Sequence, residues 1–472
     1  MKFGVLIQEG ARDWQIYQQQ NGAADIPVGG VWHYEGKPES NDVWAGLEMH
    51  CTGECRILVR LMEERTNRCV RSWTEAEKTG ERGWHYVFGA VPAGELYRIE
   101  TALMLRQESG GEIHVRGDLV FHVGVGDVFL IAGQSNAVGY GEGPANDPPE
   151  VGVHMLRSNG CWTLASHPFS DSTDSLHPVN TEIGGGHTSP WLTFGRELQR
   201  MRHRPIGFIP CALGGSALDS WLPGGTLFEN MKEVVRLSGT VPCGMLWYQG
   251  CNDANEVSGP TYFERFCRFV PAVREALGVP ELPILTMQLN HALVHGDDGQ
   301  DRGWGLVREA QRRAATELPG VYVLSTLNLP LSDAVHNCAS SNVVIGMRAA
   351  QLAESVRLGR GDGFCPNLTQ AVYGRRSGEL LLRFDHTPGG IGTIDGVFEP
   401  GTFTVTDAAG EIPVDGVTPA GAELRLSLGR VPEGELCVSG MWRMDAMQNA
   451  PMDMLTRLPM LAFYRVKATE EA

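Results

Sequence analysis

The stretch DVFLIAGQSNA, residues 127–137, decides the fold. Apolar residues run unbroken from Val128 to Ala132, stop at Gly133, and give way to the polar triplet Gln134-Ser135-Asn136. That is a strand candidate ending in a sharp turn, with a serine at its rim. The pattern recurs outward along the chain. VHMLRS (153–158), PIGFIPCAL (205–213), PCGMLWYQG (242–250), LPILTMQLN (282–290) and VYVLST (321–326) are further strand candidates. Helical patterns lie between them: SPWLTFGRELQRM (189–201), YFERFCRFVPAVREAL (262–277) and GWGLVREAQRRAATEL (303–318). In the first, Ser189 is placed as N-cap with Pro190 at the first helical position. The third stops at Pro319-Gly320, and a last helix over roughly 341–358 closes the unit near Gly359. Strand–helix alternation of this kind predicts an α/β domain, a parallel sheet with helices on both faces.

On either side the rhythm is different. VWAGLEMHC (43–51), CRILVRLMEE (55–64), GWHYVFGAV (83–91), LYRIETALMLR (96–106) and IHVRGDLVFHV (113–123) are short β segments with no convincing helix between them. After the linker GRGDGFCPN (359–367), β character returns in AVYGRRSGELLLRFDH (371–386), TFTVTDAAGE (402–411), AELRLSLG (422–429), GELCVSGMW (434–442) and MLAFYRV (460–466). Three units are expected: a β-sandwich-like region over 1–124, the α/β domain over 125–362, and a second β-rich region over 363–472.

Composition narrows the function. The 472 residues are 42% hydrophobic and 20% charged, enough apolar matter for real cores. Lys+Arg 39 against Asp+Glu 56 leaves a formal net charge of −17, which argues against nucleic acid or an anionic membrane as partner. The start, MKFGVLIQEGARDWQ, lacks the apolar core of a signal peptide, and no run is long enough to span a bilayer; a soluble, cytoplasmic protein is expected. Eleven scattered cysteines fit reduced thiols better than a disulfide framework, and Cys51 and Cys55 have no second pair to complete a zinc site.

In an open α/β sheet ligands bind at the carboxyl ends of the strands, so the residues after each strand carry the argument. Ser135 follows the first. Gly214-Gly215-Ser216 follows PIGFIPCAL, where glycines allow close backbone approach and can present an N–H to an oxyanion. Gln249 and Asn252 follow the next and put two side-chain amides at the same rim. LSDAVHN (331–337) follows the last strand: Asp333 and His336 stand three apart and can meet in a single turn. An Asp that accepts from one imidazole nitrogen leaves the other free as a general base.

The ordered set GQSNA, ALGGSALDSW, WYQGCNDA and DAVHN resembles the blocks of the SGNH (GDSL-type) hydrolases, and within them the carbohydrate esterases that include sialate O-acetylesterases and acetyl xylan esterases. The resemblance covers about residues 126–360. It implies a three-layer, flavodoxin-like domain flanked by accessory β domains, with Ser135 as nucleophile, His336 as base and Asp333 as its orienter. The implied oxyanion donors are the Ser135 amide, a backbone amide at Gly214 or Gly215, and a side-chain amide from Gln249 or Asn252. The third block departs from the WYQGESNA of many relatives, having Cys251-Asn252-Asp253 instead. No metal or organic cofactor is implied; the implied partner is an acetylated carbohydrate.

Two other readings compete. An α/β-hydrolase shares the order Ser…Asp…His, but its Asp and His come from separate loops and Ala137 replaces the last glycine of its elbow. A silent carbohydrate-binding protein could use Tyr140, Trp191, Trp221, Trp247 and Tyr248 as sugar platforms. His187, on a glycine-rich loop before a helix, is a candidate either for lining the pocket or for a capping or surface role. His291 and His295 have no ligand spacing with a third group, Asp253 is a poorer triad acid than Asp333, and Cys251 and Cys338 lack a neighbouring base. A sialate carboxylate would call for a convergent arginine, for which Arg157, Arg302 and Arg348 are the candidates; xylan would call for an open groove.

Overall fold

The computed structural model describes residues 4–33, 51–182, 187–293, 297–445 and 449–471. Of the strand expected over 43–51, all but Cys51 lies outside the described residues, as does His295. The central sheet consists of β1 (Glu112–Gly133), β2 (Val153–Leu156), β3 (Trp162–Leu164), β4 (Ile206–Pro210), β5 (Gly244–Tyr248), β6 (Ile284–Met287) and β7 (Val321–Leu324). Their order is β3-β2-β4-β1-β5-β6-β7, all parallel except β3, which returns antiparallel to β2. The chain leaves β1 toward β4 on one side and later adds β5 on the other. That reversal opens a crevice at the carboxyl end of β1.

Strand alternation builds the layers. Val128, Leu130 and Ala132 of β1 enter one apolar cluster with Phe228 and Met231 of α3 (Thr226–Ser238), Phe266 and Phe269 of α4 (Tyr262–Leu277) and Val307 of α5 (Asp298–Glu317). Phe129 and Ile131 enter another with Trp191 and Phe194 of α2 (Trp191–Arg202) and Ile345 and Ala349 of α6 (Ala339–Leu358). Both faces of the strand are therefore covered, as its unbroken apolar run requires.

Three local expectations change. β1 does not begin near Gly126: it is one 22-residue strand that also pairs with Ile16–Gln18 and with Leu96–Gln107 of the N-terminal sheets. Gly126 is there for close approach and not for a turn, since a Cβ on it would stand 1.9 Å from the Pro205 carbonyl oxygen. α5 starts five residues early, because Asp297 and Gln300 form a reciprocal capping box ahead of the apolar pattern. α2 starts one residue late, with Pro190 just outside it.

The N-terminal residues form a four-stranded sheet and the strands that extend β1. The C-terminal residues form sheets of five, four and two strands. The five- and four-stranded sheets share one apolar core through residues such as Leu382, Leu424, Val405 and Phe463. α5 joins this region to the central sheet. Arg308, 1% exposed, donates to the carbonyls of Leu289 and Asn290 on one side and of Met441 and Arg443 on the other. Gln288 also exchanges two hydrogen bonds with the Ala462 backbone.

His154 on β2 ties the N-terminal segment to the sheet. It is fully buried, and its Nδ1 lies 2.7 Å from the Trp14 carbonyl oxygen, which sets the proton on Nδ1. Burial pulls its pKa down to about 3, only partly offset by that hydrogen bond. The unfolded chain therefore binds a proton that the folded one refuses between about pH 6.5 and pH 3. Stability from this group is complete above that window and falls through it, with a limiting slope of about 1.4 kcal/mol per pH unit. Thermal unfolding from pH 7 down to pH 4 should show this slope, and His154→Gln should lower stability at pH 7 while flattening the acid limb.

Candidate active site

The crevice is built from four chain turns. β1 ends at Gly133, whose φ of +127° a side chain would strain, and where a Cβ would lie 2.3 Å from the Tyr248 carbonyl oxygen at the end of β5. The Gln134 amide donates to that same carbonyl, and the chain then enters the single turn α1 (Ser135–Val138) with Ser135 as its first residue. Its hydroxyl Oγ stands 2.8 Å from Nε2 of His336, 201 residues further along the chain. Nδ1 of His336 stands 2.6 Å from Oδ2 of Asp333. The other carboxylate oxygen, Oδ1, accepts the amides of Val335 at 2.9 Å and His336 at 2.8 Å. Burial works against the Asp333 charge. The hydrogen bonds from the His336 ring and the two amides outweigh it and hold the carboxyl below its ordinary range. Hydroxyl, imidazole and carboxylate thus stand in one row, the arrangement for removing a proton from a nucleophilic serine.

Asn136, in the same turn as Ser135, holds the histidine loop in place. Its Nδ2 donates to the Val335 carbonyl, and its Oδ1 accepts from the Asn337 backbone amide and side chain, all at 3.1 Å. Asn337 also donates to the Tyr248 hydroxyl at 2.9 Å and accepts from Asn290 at 2.7 Å. The motifs GQSN and DAVHN contained these two asparagines, but residue type and spacing alone carried no sign of their pairing. Tyr140 lies against the imidazole, its ring stacked on His336 with centroids 5.1 Å apart.

The glycine turn sits beside the Gly133 end of β1, next to Ser135. Leu213 and Ser216 both donate to the Gly133 carbonyl. The Gly214 amide donates to Oε2 of Glu182 at 2.9 Å, and the other carboxylate oxygen of Glu182 accepts a short hydrogen bond from the Tyr140 hydroxyl. Glu182 had no motif to announce it. The two side-chain amides expected as oxyanion donors differ in burial and partners. Gln249 is fully buried beneath the turn, with its Nε2 donating to the Ser216 carbonyl and to Asp253, and its Oε1 accepting from Tyr262. With both ends committed it has nothing left to offer substrate. Asn252 is exposed and gives one amide hydrogen to the Gly215 carbonyl, leaving the other to donate. Gln134 sets its position by accepting from the Gly250 and Asn252 amides.

Other candidates lie elsewhere. Asp253 is buried, ion-paired to Arg265 at 2.8 Å and hydrogen-bonded to the Leu218 amide, so it supports the glycine turn. Trp191, Trp221, Trp247 and Tyr248 are core residues, which removes them as sugar platforms. Burial pushes the Cys251 thiol up to about 12. His187 faces Glu142 on the surface, and burial together with the Arg308 charge lowers the pKa of His291. Arg157 is spent on the Pro168 and Ser166 carbonyls and the Ser166 and Thr163 hydroxyls, Arg302 on Glu256, and Arg348 on Asn328.

Removing the Asn136 clasp while leaving the triad chemistry intact separates positioning from chemistry. Asn136→Ala should lower kcat about 10- to 100-fold with KM little changed, measured on any ester this site accepts. Asp333→Asn should cost about 100-fold or more, because a neutral amide neither stabilises an imidazolium nor enforces the tautomer.

Residues 125–355 match the family model described as carbohydrate esterase, sialic acid-specific acetylesterase. A protein of Arabidopsis thaliana described as a probable carbohydrate esterase is 29% identical over 250 residues, 48% of this chain and 88% of its own. The crystal structure of a protein from Xanthomonas citri, described as a carbohydrate acetylesterase, superposes with a TM-score of 0.64 at 21% identity. The match covers 96% of this chain and 97% of that one, so the likeness in fold extends beyond the central domain.

Proposed function

Residues 125–355 belong to the carbohydrate-esterase family of sialic acid-specific acetylesterases, which are carboxylic ester hydrolases, and on that footing we propose that this protein removes O-acetyl groups from an acetylated carbohydrate by two-step acyl transfer through Ser135. The observation that carries the reading is the 2.8 Å approach of the Ser135 hydroxyl to His336, whose far nitrogen is held by Asp333. In the first step the Ser135 Oγ forms a bond to the acetyl carbonyl carbon while its proton passes to Nε2 of His336. The bond from that carbon to the sugar oxygen then breaks, and the imidazolium returns the proton to the leaving sugar hydroxyl. Water repeats the sequence on the acetyl-serine and releases acetate. The oxyanion is received by the Ser135 amide, by the Gly215 amide of the glycine turn, since Glu182 takes the Gly214 amide, and by Asn252; each such donor is worth about 10²–10³ in turnover.

On the same footing the flanking sheets are accessory β-sandwich modules, with unit boundaries near 124 and 362, and the protein works in the cytoplasm, where the ten unpaired cysteines among the described residues stay reduced. Hydrolysis of p-nitrophenyl acetate tests the central claim. The wild-type protein should exceed Ser135→Ala by at least about 10³-fold. Equal, near-background rates from both would replace the esterase with a carbohydrate-binding protein on the same scaffold.

A further inference from the structure

The nucleophile has an acidic neighbour that the proton row does not use. Glu182 reaches the glycine turn from outside the four motifs: its backbone amide donates to Ser172 at 2.8 Å, and its carboxylate lies across the turn. One oxygen accepts the Gly214 amide at 2.9 Å and the other accepts the Tyr140 hydroxyl, while the Tyr140 ring rests on the catalytic imidazole. A Cβ placed on Gly214 would stand 2.8 Å from Oε1 of Glu182, so the carboxylate closes directly over the turn. Among the described residues its carboxylate is held by two neutral donors, an amide and a phenol. An N–H suited to a substrate's carbonyl oxygen is thus occupied by a fixed anion.

An acidic sugar brought to this site carries its own carboxylate toward that anion. The three arginines considered for a sialate carboxylate have other partners: Arg157 has backbone carbonyls and a hydroxyl, Arg302 has Glu256, and Arg348 has Asn328. The whole chain, at −17, adds repulsion at long range. We infer that Glu182 sets the charge of the accepted substrate: the site takes O-acetyl esters of uncharged glycans and turns away those of acidic sugars such as sialic acid. This rests on the esterase reading above and names the substrate class within it. Like charges in a partly screened site discriminate by about tenfold.

The test uses one sugar in two charge states. Acetate release is measured from O-acetylated sialic acid and from its carboxyl methyl ester, beside an acetylated xylo-oligosaccharide, with p-nitrophenyl acetate and Ser135→Ala as controls. The wild-type protein should favour the methyl ester over the free acid in kcat/KM by about tenfold or more. Glu182→Gln, which keeps the shape and removes the charge, should narrow that ratio to about threefold or less. Raising the salt to about 0.5 M should narrow the wild-type ratio without any substitution, an arm that does not depend on the variant folding. Equal cleavage of the acid and its methyl ester by the wild type, or a ratio that Glu182→Gln leaves unaltered whether or not salt changes it, would overturn the inference while leaving the esterase standing. Absence of any Ser135-dependent hydrolysis would overturn both.

Discussion

Three hydrogen bonds from one side chain hold together parts of the chain that have no reason of their own to meet. Asn136 leaves the end of β1 beside Ser135 and grips the Val335 carbonyl and both the backbone and side-chain nitrogens of Asn337. His336 lies between the gripped residues. Its imidazole therefore has little choice about where it stands, and the 2.8 Å contact with Ser135 follows from the clasp as much as from the imidazole itself. The clasp is buried, so losing either partner would leave polar atoms unsatisfied away from water. This cost gives the row its geometry without demanding rigidity from Asp333, which lies on an exposed stretch.

Beneath the glycine turn a second polar network does similar work. Asp253 receives the Leu218 amide and the Gln249 side chain and faces Arg265, and Gln249 hands its oxygen to Tyr262. All of these groups are buried or nearly so. A buried acid without such partners would be expensive, and with them it fixes a loop that has no regular secondary structure. Side chains below the turn accept the Leu218 amide and donate to the Ser216 carbonyl, which fixes the backbone on both sides of Ala217.

The C-terminal region reaches the histidine loop through a relay of backbone contacts. The Ala292 amide donates to Met444, and the Leu293 amide donates to Ala334 within DAVHN. Arg308 stitches the same segment to the end of β6 with carbonyl partners alone, and burial lowers its pKa to about 9. A β region read from the sequence as a separate unit is thus packed against the support of the loop that carries His336.

The order of strands and helices in the central domain, and the meeting of Ser135, His336 and Asp333, were legible in the sequence. Apolar runs report burial on both faces of a sheet, and the chemistry needed at a strand end appears in order along the chain. The continuity of β1 was not legible, because Gly124 and Gly126 look the same whether a glycine permits a turn or a close approach, and only the Pro205 carbonyl against Gly126 decides between them. Nor could the sequence choose between Gln249 and Asn252: both are amides after the same strand, and the choice lies in which one the partners beneath the turn consume. Glu182 was invisible for a related reason. Its meaning comes entirely from the Gly214 amide and the Tyr140 hydroxyl that receive it across 32 and 42 residues of chain, and contacts of that range exist only once the chain is folded.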